Sequence, residues 1–203
     1  KISVLFDGIL ELLGKSGTLI VPTFTYSATK GEPFDVDKTP SVVGMLTEHF
    51  RKRLDVSRSL NPIFSVASTG AMAKNFENSS VSDCFGKKSS FGLIHKMNTW
   101  IFTLGCSFDR ITFIHFIDQV EKVDFRYFKS FPALIINKTE IKNVKIRYLV
   151  RDIHRATEVK LDNLKVRLND ENLLKTKEIG RVLLTGVRAK DFYKIALEMM
   201  SEK

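Results

Sequence analysis

The sequence has 203 residues, 43% apolar and 27% charged, with 16 Phe; this supports one folded domain and excludes an intrinsically disordered chain. No apolar run nears the roughly 18 residues of a membrane-spanning helix, and the two cysteines, Cys84 and Cys106, make neither a disulfide framework nor a CxxC metal motif. Lys and Arg outnumber Asp and Glu 32 to 23, a net charge of +9; residues 121–203 hold 19 basic and 12 acidic side chains (+7), leaving 13 and 11 (+2) for residues 1–120.

In chain order, Ile2, Leu5, Phe6, Ile9, Leu10, Leu12 and Leu13 recur at helical spacing, with Gly14 placed to end the helix. The opening Lys1-Ile2-Ser3 is part of that amphipathic stretch rather than a secretory leader, so a reducing cytoplasm is the expected location. Residues Gly17 to Pro22 read as a buried strand stopped by proline. Residues 23–40 form a long polar loop. A helix is expected over about Ser41–Arg53, with Thr39 as N-cap and Pro40 at its first position. A short strand over Ile63–Thr69 and a small helix over Ala71–Phe76 precede a Ser-, Gly- and Lys-rich loop at 78–90.

Next come a short helix near Phe91–Lys96, a strand over Thr99–Gly105 and a helix over Thr112–Glu121. The second part of the chain reads as strands at Ala133–Asn137 and Val144–Val150, a weak helix at Glu171–Lys177, a strand at Gly180–Val187 and an amphipathic helix at Ala189–Met200. Alternating helices and apolar strands predict an α/β fold, a layered mixed sheet with flanking helices. The expected organisation is a two-lobed single domain over 1–203, more basic from about residue 122.

Four histidines can carry acid–base chemistry. His49 suits the C-terminal end of its helix, and His95 and His154 sit beside Lys96 and Arg155 without a recurring partner. His115 differs: Thr112, His115 and Asp118 are three apart, so a helix puts them on one face of an otherwise apolar segment, just after a buried strand. A carboxylate beside an imidazole fixes its tautomer. From spacing alone, a satisfied core histidine is the slightly better reading. Cys84 lies beside Asp83, and Cys106 reads as a small buried packing residue, so covalent cysteine catalysis finds no support. No GxSxG, P-loop or GxGxxG motif occurs, nor any zinc-finger or RNP-like motif that would turn the basic charge into a nucleic-acid partner.

Several blocks in order resemble one family. Gly17-Thr-Leu-Ile-Val-Pro-Thr-Phe-Thr25, Pro33-Phe-Asp35, Thr39-Pro-Ser-Val-Val-Gly44, Arg58-Ser-Leu-Asn-Pro-Ile-Phe-Ser65, Ser90-Phe-Gly92, Leu104-Gly105 and Thr112-Phe-Ile-His115-Phe-Ile-Asp118 are similar to the aminoglycoside 3-N-acetyltransferases. The resemblance implies that acetyl-coenzyme A is the donor and a small-molecule amino sugar the acceptor, with no metal and no membrane partner. It implies His115 as general base and Asp118 as its orienting carboxylate, where the family pattern has Glu. It places Thr25, Ser65, Ser90, Phe91, Gly92 and Thr112 on the acyl-donor side, and Arg58, Asn61 and Asp35 on the acceptor side.

Asn61 stands where the family has His, and Ile111 where it has Asn. The family pattern also puts a strand and a Ser-rich turn before the opening helix, so a segment completing the coenzyme A pocket is expected upstream of Lys1. Because the chain is basic and aminoglycosides are polycations, the expected acceptor is an amino sugar carried on a nucleotide diphosphate, of use in surface-polysaccharide synthesis. Aminoglycoside acetylation conferring antibiotic resistance is the alternative, and a catalytically decayed binding module a third reading.

Overall fold

The structure, a computed structural model, describes residues 2–155 and 160–202. Its elements run α1 (Ile2–Leu13), β1 (Thr18–Pro22), α2 (Ser27–Lys30), β2 (Phe34–Asp35), α3 (Met45–Arg51), β3 (Ser57–Arg58), β4 (Val66–Gly70), α4 (Ala73–Glu77), α5 (Ser90–Lys96) and β5 (Trp100–Leu104). After a 3-10 turn at Phe108–Arg110 come α6 (Ile114–Val120), β6 (Arg126–Asn137), β7 (Glu140–Arg151), α7 (Asp162–Asp170), β8 (Lys175–Ile179), β9 (Val182–Arg188) and α8 (Ala189–Ser201). The α/β class expected from the sequence holds, and among the described residues the strands divide into three three-stranded sheets: β1-β4-β3, β2-β6-β7 and β5-β9-β8.

Residue contacts divide the chain into two compact units, Lys1–Leu93 with Phe128–Tyr148, and Ile94–Tyr127 with Leu149–Lys203. In the first unit, β1 pairs antiparallel with β4, and α1 and α3 close over the sheet through a core of Phe6, Phe50 and Ala67, flanked by Ile2, Ile9, Leu19 and Leu46. A second core forms where β2 pairs parallel with β6 and Phe34, Val36 and Ile135 meet. In the second unit, β5, β9 and β8 are antiparallel, α8 lies against α6 and α7, and Ile117, Leu168, Val187, Phe192 and Ile195 are fully buried.

Several boundaries differ from expectation. The 23–40 loop contains α2 and β2. The helix expected from Ser41 starts only at Met45, because Thr39 is used elsewhere: its hydroxyl accepts the Asp35 N–H at 2.8 Å. Gly44, at φ 142°, turns the chain into the helix instead. The strand expected over Ile63–Thr69 begins at Val66. The expected helix at Glu171–Lys177 is a turn followed by β8; Asn172 takes a left-handed φ of 57° that ends α7. The preceding helix, α7, went unread because Leu164 and Leu168 are its only buried side chains.

A Cβ added to Gly8, on α1, would meet nothing within 4 Å, whereas a Cβ on Gly70, already at φ +109°, would lie 2.2 Å from the Gly17 carbonyl oxygen. Gly8→Ala is therefore expected to raise stability by up to about 1 kcal/mol through helix propensity, and Gly70→Ala to lower it, both read from urea denaturation midpoints. Glu48 pairs with Arg51 at 2.7 Å; the Arg51 guanidinium holds its carboxyl at about 2. A depressed carboxyl contributes stability above its unfolded value and loses it as pH falls toward the folded value. The melting-temperature gap between the parent and Glu48→Gln should thus narrow as pH falls from 4.5 toward 2.

Candidate active site

In the second unit, α6 carries His115 and Asp118. Its segment is buried on nearly every side, through Ile114, Phe116, Ile117, Asp118 and Gln119, so a polar side chain here must find partners. His115 and Asp118, one turn apart, do so: Nδ1 of His115 lies 3.1 Å from Oδ2 of Asp118. Arg126, at the start of β6, brings its Nε to 2.9 Å from the same carboxylate oxygen. The side chains of Asp118 and Arg126 are almost wholly buried, while that of His115 keeps 22% exposure.

A carboxylate oxygen can only accept, so its contact with Nδ1 calls for the Nδ1–H tautomer of the imidazole, which leaves the lone pair on Nε2. The shorter Asp118, in place of the family's Glu, reaches the ring because both residues share one helix. Thr112 precedes the helix, and its hydroxyl donates to the Arg110 carbonyl at 3.5 Å. Arg126 was not legible as a partner: it lies eight residues beyond Asp118, past the end of α6, where no periodicity links them. His95 packs against Phe116 and Tyr193, and burial shifts it downward. Ile111 is buried, and His154 makes a backbone turn with Asp152.

The other candidates lie in the first unit, where they form a buried polar lattice. Arg58 is its hub. Its Nε donates to the hydroxyls of Thr23 and Ser65, each at 3.2 Å. Nη1 donates to the carbonyls of Val36 and Thr39, and Nη2 to that of Thr23. The guanidinium also lies 4.9 Å from the Phe34 ring centroid. Burial pushes it down to about 9, still protonated at neutral pH.

Ser65 donates in turn to the Thr23 carbonyl at 2.7 Å, and Thr25 to that of Pro62 at 2.7 Å. Asn61, expected on the acceptor side, is absorbed by its own turn: Oδ1 accepts from Ile63 and Phe64 N–H, and Nδ2 donates to the Val81 carbonyl. Asp35 likewise accepts from the backbone of Asp37 and Lys38. Ser90 bonds Ser79. Phe91 joins an aromatic cluster with Phe24, Phe64 and Phe85, and Gly92 lies so close to Lys87 that a Cβ would fall 2.3 Å from its carbonyl oxygen.

The cysteines separate cleanly. Cys84 is buried, and burial pushes its thiol up. Cys106, expected to be buried packing, is exposed; Gly105, at φ 64°, turns the chain outward beyond β5. Among the described residues, no group of three or more His, Cys, Asp or Glu could hold a metal, and no helix is long and apolar enough to cross a membrane.

A family model described as Aminoglycoside 3-N-acetyltransferase matches residues 3–201. The chain belongs to the aminoglycoside 3-N-acetyltransferase family. It is thus an acyltransferase, the enzyme class that the resemblance implied. A relative from Salmonella sp, aminoglycoside N(3)-acetyltransferase IV, is 25% identical over 200 residues, covering 95% of this chain and 71% of the relative. Two solved structures share the fold. AAC-IIIb in binary complex with CoASH has a TM-score of 0.85 at 16% identity, over 99% of this chain and 83% of that one. A mutant of AAC(3)-IVa in complex with apramycin has a TM-score of 0.78 at 20% identity, over 100% and 78%.

Replacing Arg58 by Lys removes a planar donor fork that an ammonium cannot reproduce. Arg58→Lys is expected to cost at least about 2 kcal/mol by leaving buried carbonyls unbonded, measured by equilibrium denaturation.

Proposed function

We propose that the protein transfers the acetyl group of acetyl-coenzyme A directly to an amine of an aminoglycoside, with His115 as general base. The observation that carries this reading is the buried chain of Arg126, Asp118 and His115, at 2.9 and 3.1 Å, ending on an imidazole that retains access to solvent. An ammonium has no lone pair, so the acceptor must be deprotonated to attack a thioester. Nε2 of His115, the ring nitrogen not in contact with Asp118, is the atom that takes the proton.

The acetyl donor supplies an activated carbonyl; the new bond is N–C and the bond broken is C–S. The acceptor's proton passes to Nε2, and the resulting imidazolium faces the Asp118 carboxylate. From there the proton can go to the departing thiolate, so the imidazole is regenerated neutral and coenzyme A leaves as its thiol, while the second proton lost between ammonium and amide passes to solvent. Arg126, 2.9 Å from the Asp118 carboxylate, holds it in place as a positioning residue rather than a participant in bond exchange.

Family membership and the similarity to enzymes whose names specify aminoglycosides favour this acceptor over the nucleotide-linked amino sugar expected from charge. The net charge of +9 is the observation that supports the second acceptor. Thiol release from acetyl-coenzyme A, followed with apramycin, gentamicin and a nucleotide-linked amino sugar, separates the two.

Activity is expected with an aminoglycoside. His115→Ala should lower kcat about 10²–10⁴-fold, the usual range for a lost general base, with little change in acceptor affinity. Asp118→Asn should lower kcat while leaving the fold intact by circular dichroism. Turnover of the parent with the nucleotide-linked sugar alone would sink the aminoglycoside assignment, and undiminished kcat in His115→Ala would sink the base assignment.

A further inference from the structure

The antiparallel sheet β5-β9-β8 of the second unit has one packed face and one open face. Its register sorts the side chains. Trp100 lies opposite Arg188, Phe102 opposite Gly186 and Leu104 opposite Leu184, while Lys175, Lys177 and Ile179 continue the same face onto β8. Thr103, Thr185 and Val187 alternate to the other face and are buried. On the open face Trp100 and Phe102 keep 37% and 54% exposure, and Val182 and Ile179 are exposed beside them. The two rings stack, with centroids 5.8 Å apart and planes inclined by 19°. Phe102 also covers Gly186, where a Cβ would fall 2.5 Å from the ring.

The charge on this face has one sign. Lys175, Lys177 and Arg188 are exposed, and none of them is ion-paired among the described residues. The acidic residue of β8, Glu178, alternates to the other face. Arg188 holds its guanidinium 4.6 Å from the Trp100 ring centroid. Three cations and two exposed rings on one face suit a partner that is anionic and offers flat faces of its own. An acidic protein surface supplies the charge without the flat faces, and a second copy of this chain would set like charges against each other. Unpaired nucleobases on a phosphate backbone supply both, whereas a duplex keeps its base faces within its own stack.

We propose that this face binds single-stranded nucleic acid, apart from the acyl-transfer chemistry of His115. Trp100 and Phe102 stack with bases, and Lys175, Lys177 and Arg188 neutralise backbone phosphates. Strand pairing assembles the face from three separated segments, so no run of the sequence spells a nucleic-acid motif. Its cations belong to the basic excess of residues 121–203, which a polycationic acceptor leaves unused.

Trp100 is the only tryptophan of the chain, so quenching of its fluorescence reports on this face directly. Titration of the full chain with poly(U) at low salt is expected to quench it. The logarithm of the affinity should fall against the logarithm of salt concentration with a slope of about −2, roughly 0.7 for each of three phosphates. Variants are compared by the anisotropy of labelled oligouridine. Trp100→Leu and Phe102→Leu keep an apolar cover on the sheet but remove the stacking plane, and each should weaken binding about tenfold. Lys177→Gln, at an exposed position where folding is not at stake, should weaken it several-fold and flatten the salt slope. Lys74→Gln, on α4 of the first unit, removes the same charge and should leave affinity unchanged.

No quenching by poly(U), equal quenching by a DNA duplex or by polyglutamate, or equal affinity for coenzyme A or a mononucleotide overturns the proposal. So does an equal loss in Lys74→Gln and Lys177→Gln, which would reduce the binding to net charge. A dimer of the free chain that Trp100→Leu dissociates would give the face to a second copy and overturn it as well.

Discussion

Arg58 is a cation held inside the first unit without a carboxylate at ion-pair distance among the described residues. Its charge is carried by dipoles: carbonyls of Thr23, Val36 and Thr39, and hydroxyls of Thr23 and Ser65. Desolvating a guanidinium is costly, and only a full set of bonded donors offsets it. The segment after β1, the turn after β2 and the turn before β4 must therefore all arrive together. That constraint explains why Thr23, Ser65 and Thr25 are spent on backbone carbonyls, and why a stretch that reads as loop in sequence is fixed in space.

The second unit solves a different problem with the opposite means. There a carboxylate is buried with a permanent cation on one side and a titratable ring on the other. Arg126 pairs with the buried Asp118 carboxylate from the side opposite the ring, so the anion does not depend on the imidazole alone for a partner.

Much of the fold was legible because its signals are local. The apolar periodicity of Ile2 to Leu13, the run from Thr18 to Pro22 and the amphipathic end at Ala189 each depend on residues adjacent in sequence. The Thr112, His115, Asp118 spacing was legible for the same reason, and the His115–Asp118 contact follows from one helical turn. What escaped is non-local. Thr39 looks like an N-cap until Asp35 claims its hydroxyl. Glu171–Lys177 looks weakly helical until Asn172 reverses the chain and β9 offers Lys175–Ile179 a ladder. Asn61, Arg58, Ser65 and Asp35 match a family pattern, but a pattern cannot distinguish a side chain that meets a ligand from one consumed by its own turn.

The division of the chain has a consequence for anyone dissecting the protein. The first unit takes Phe128–Tyr148 from beyond the segment that begins the second, and with it Ile135, which completes the core around Phe34, and Tyr148, which rests on Phe64 and Phe85. No single cut of the polypeptide yields either unit whole. A fragment ending at Leu93 would expose an aromatic core with one wall gone, and a fragment starting at Ile94 would carry that wall with nothing to cover. Expression of separate halves should therefore begin from two pieces supplied together, or from a rewired chain that joins Leu93 to Phe128 through a linker.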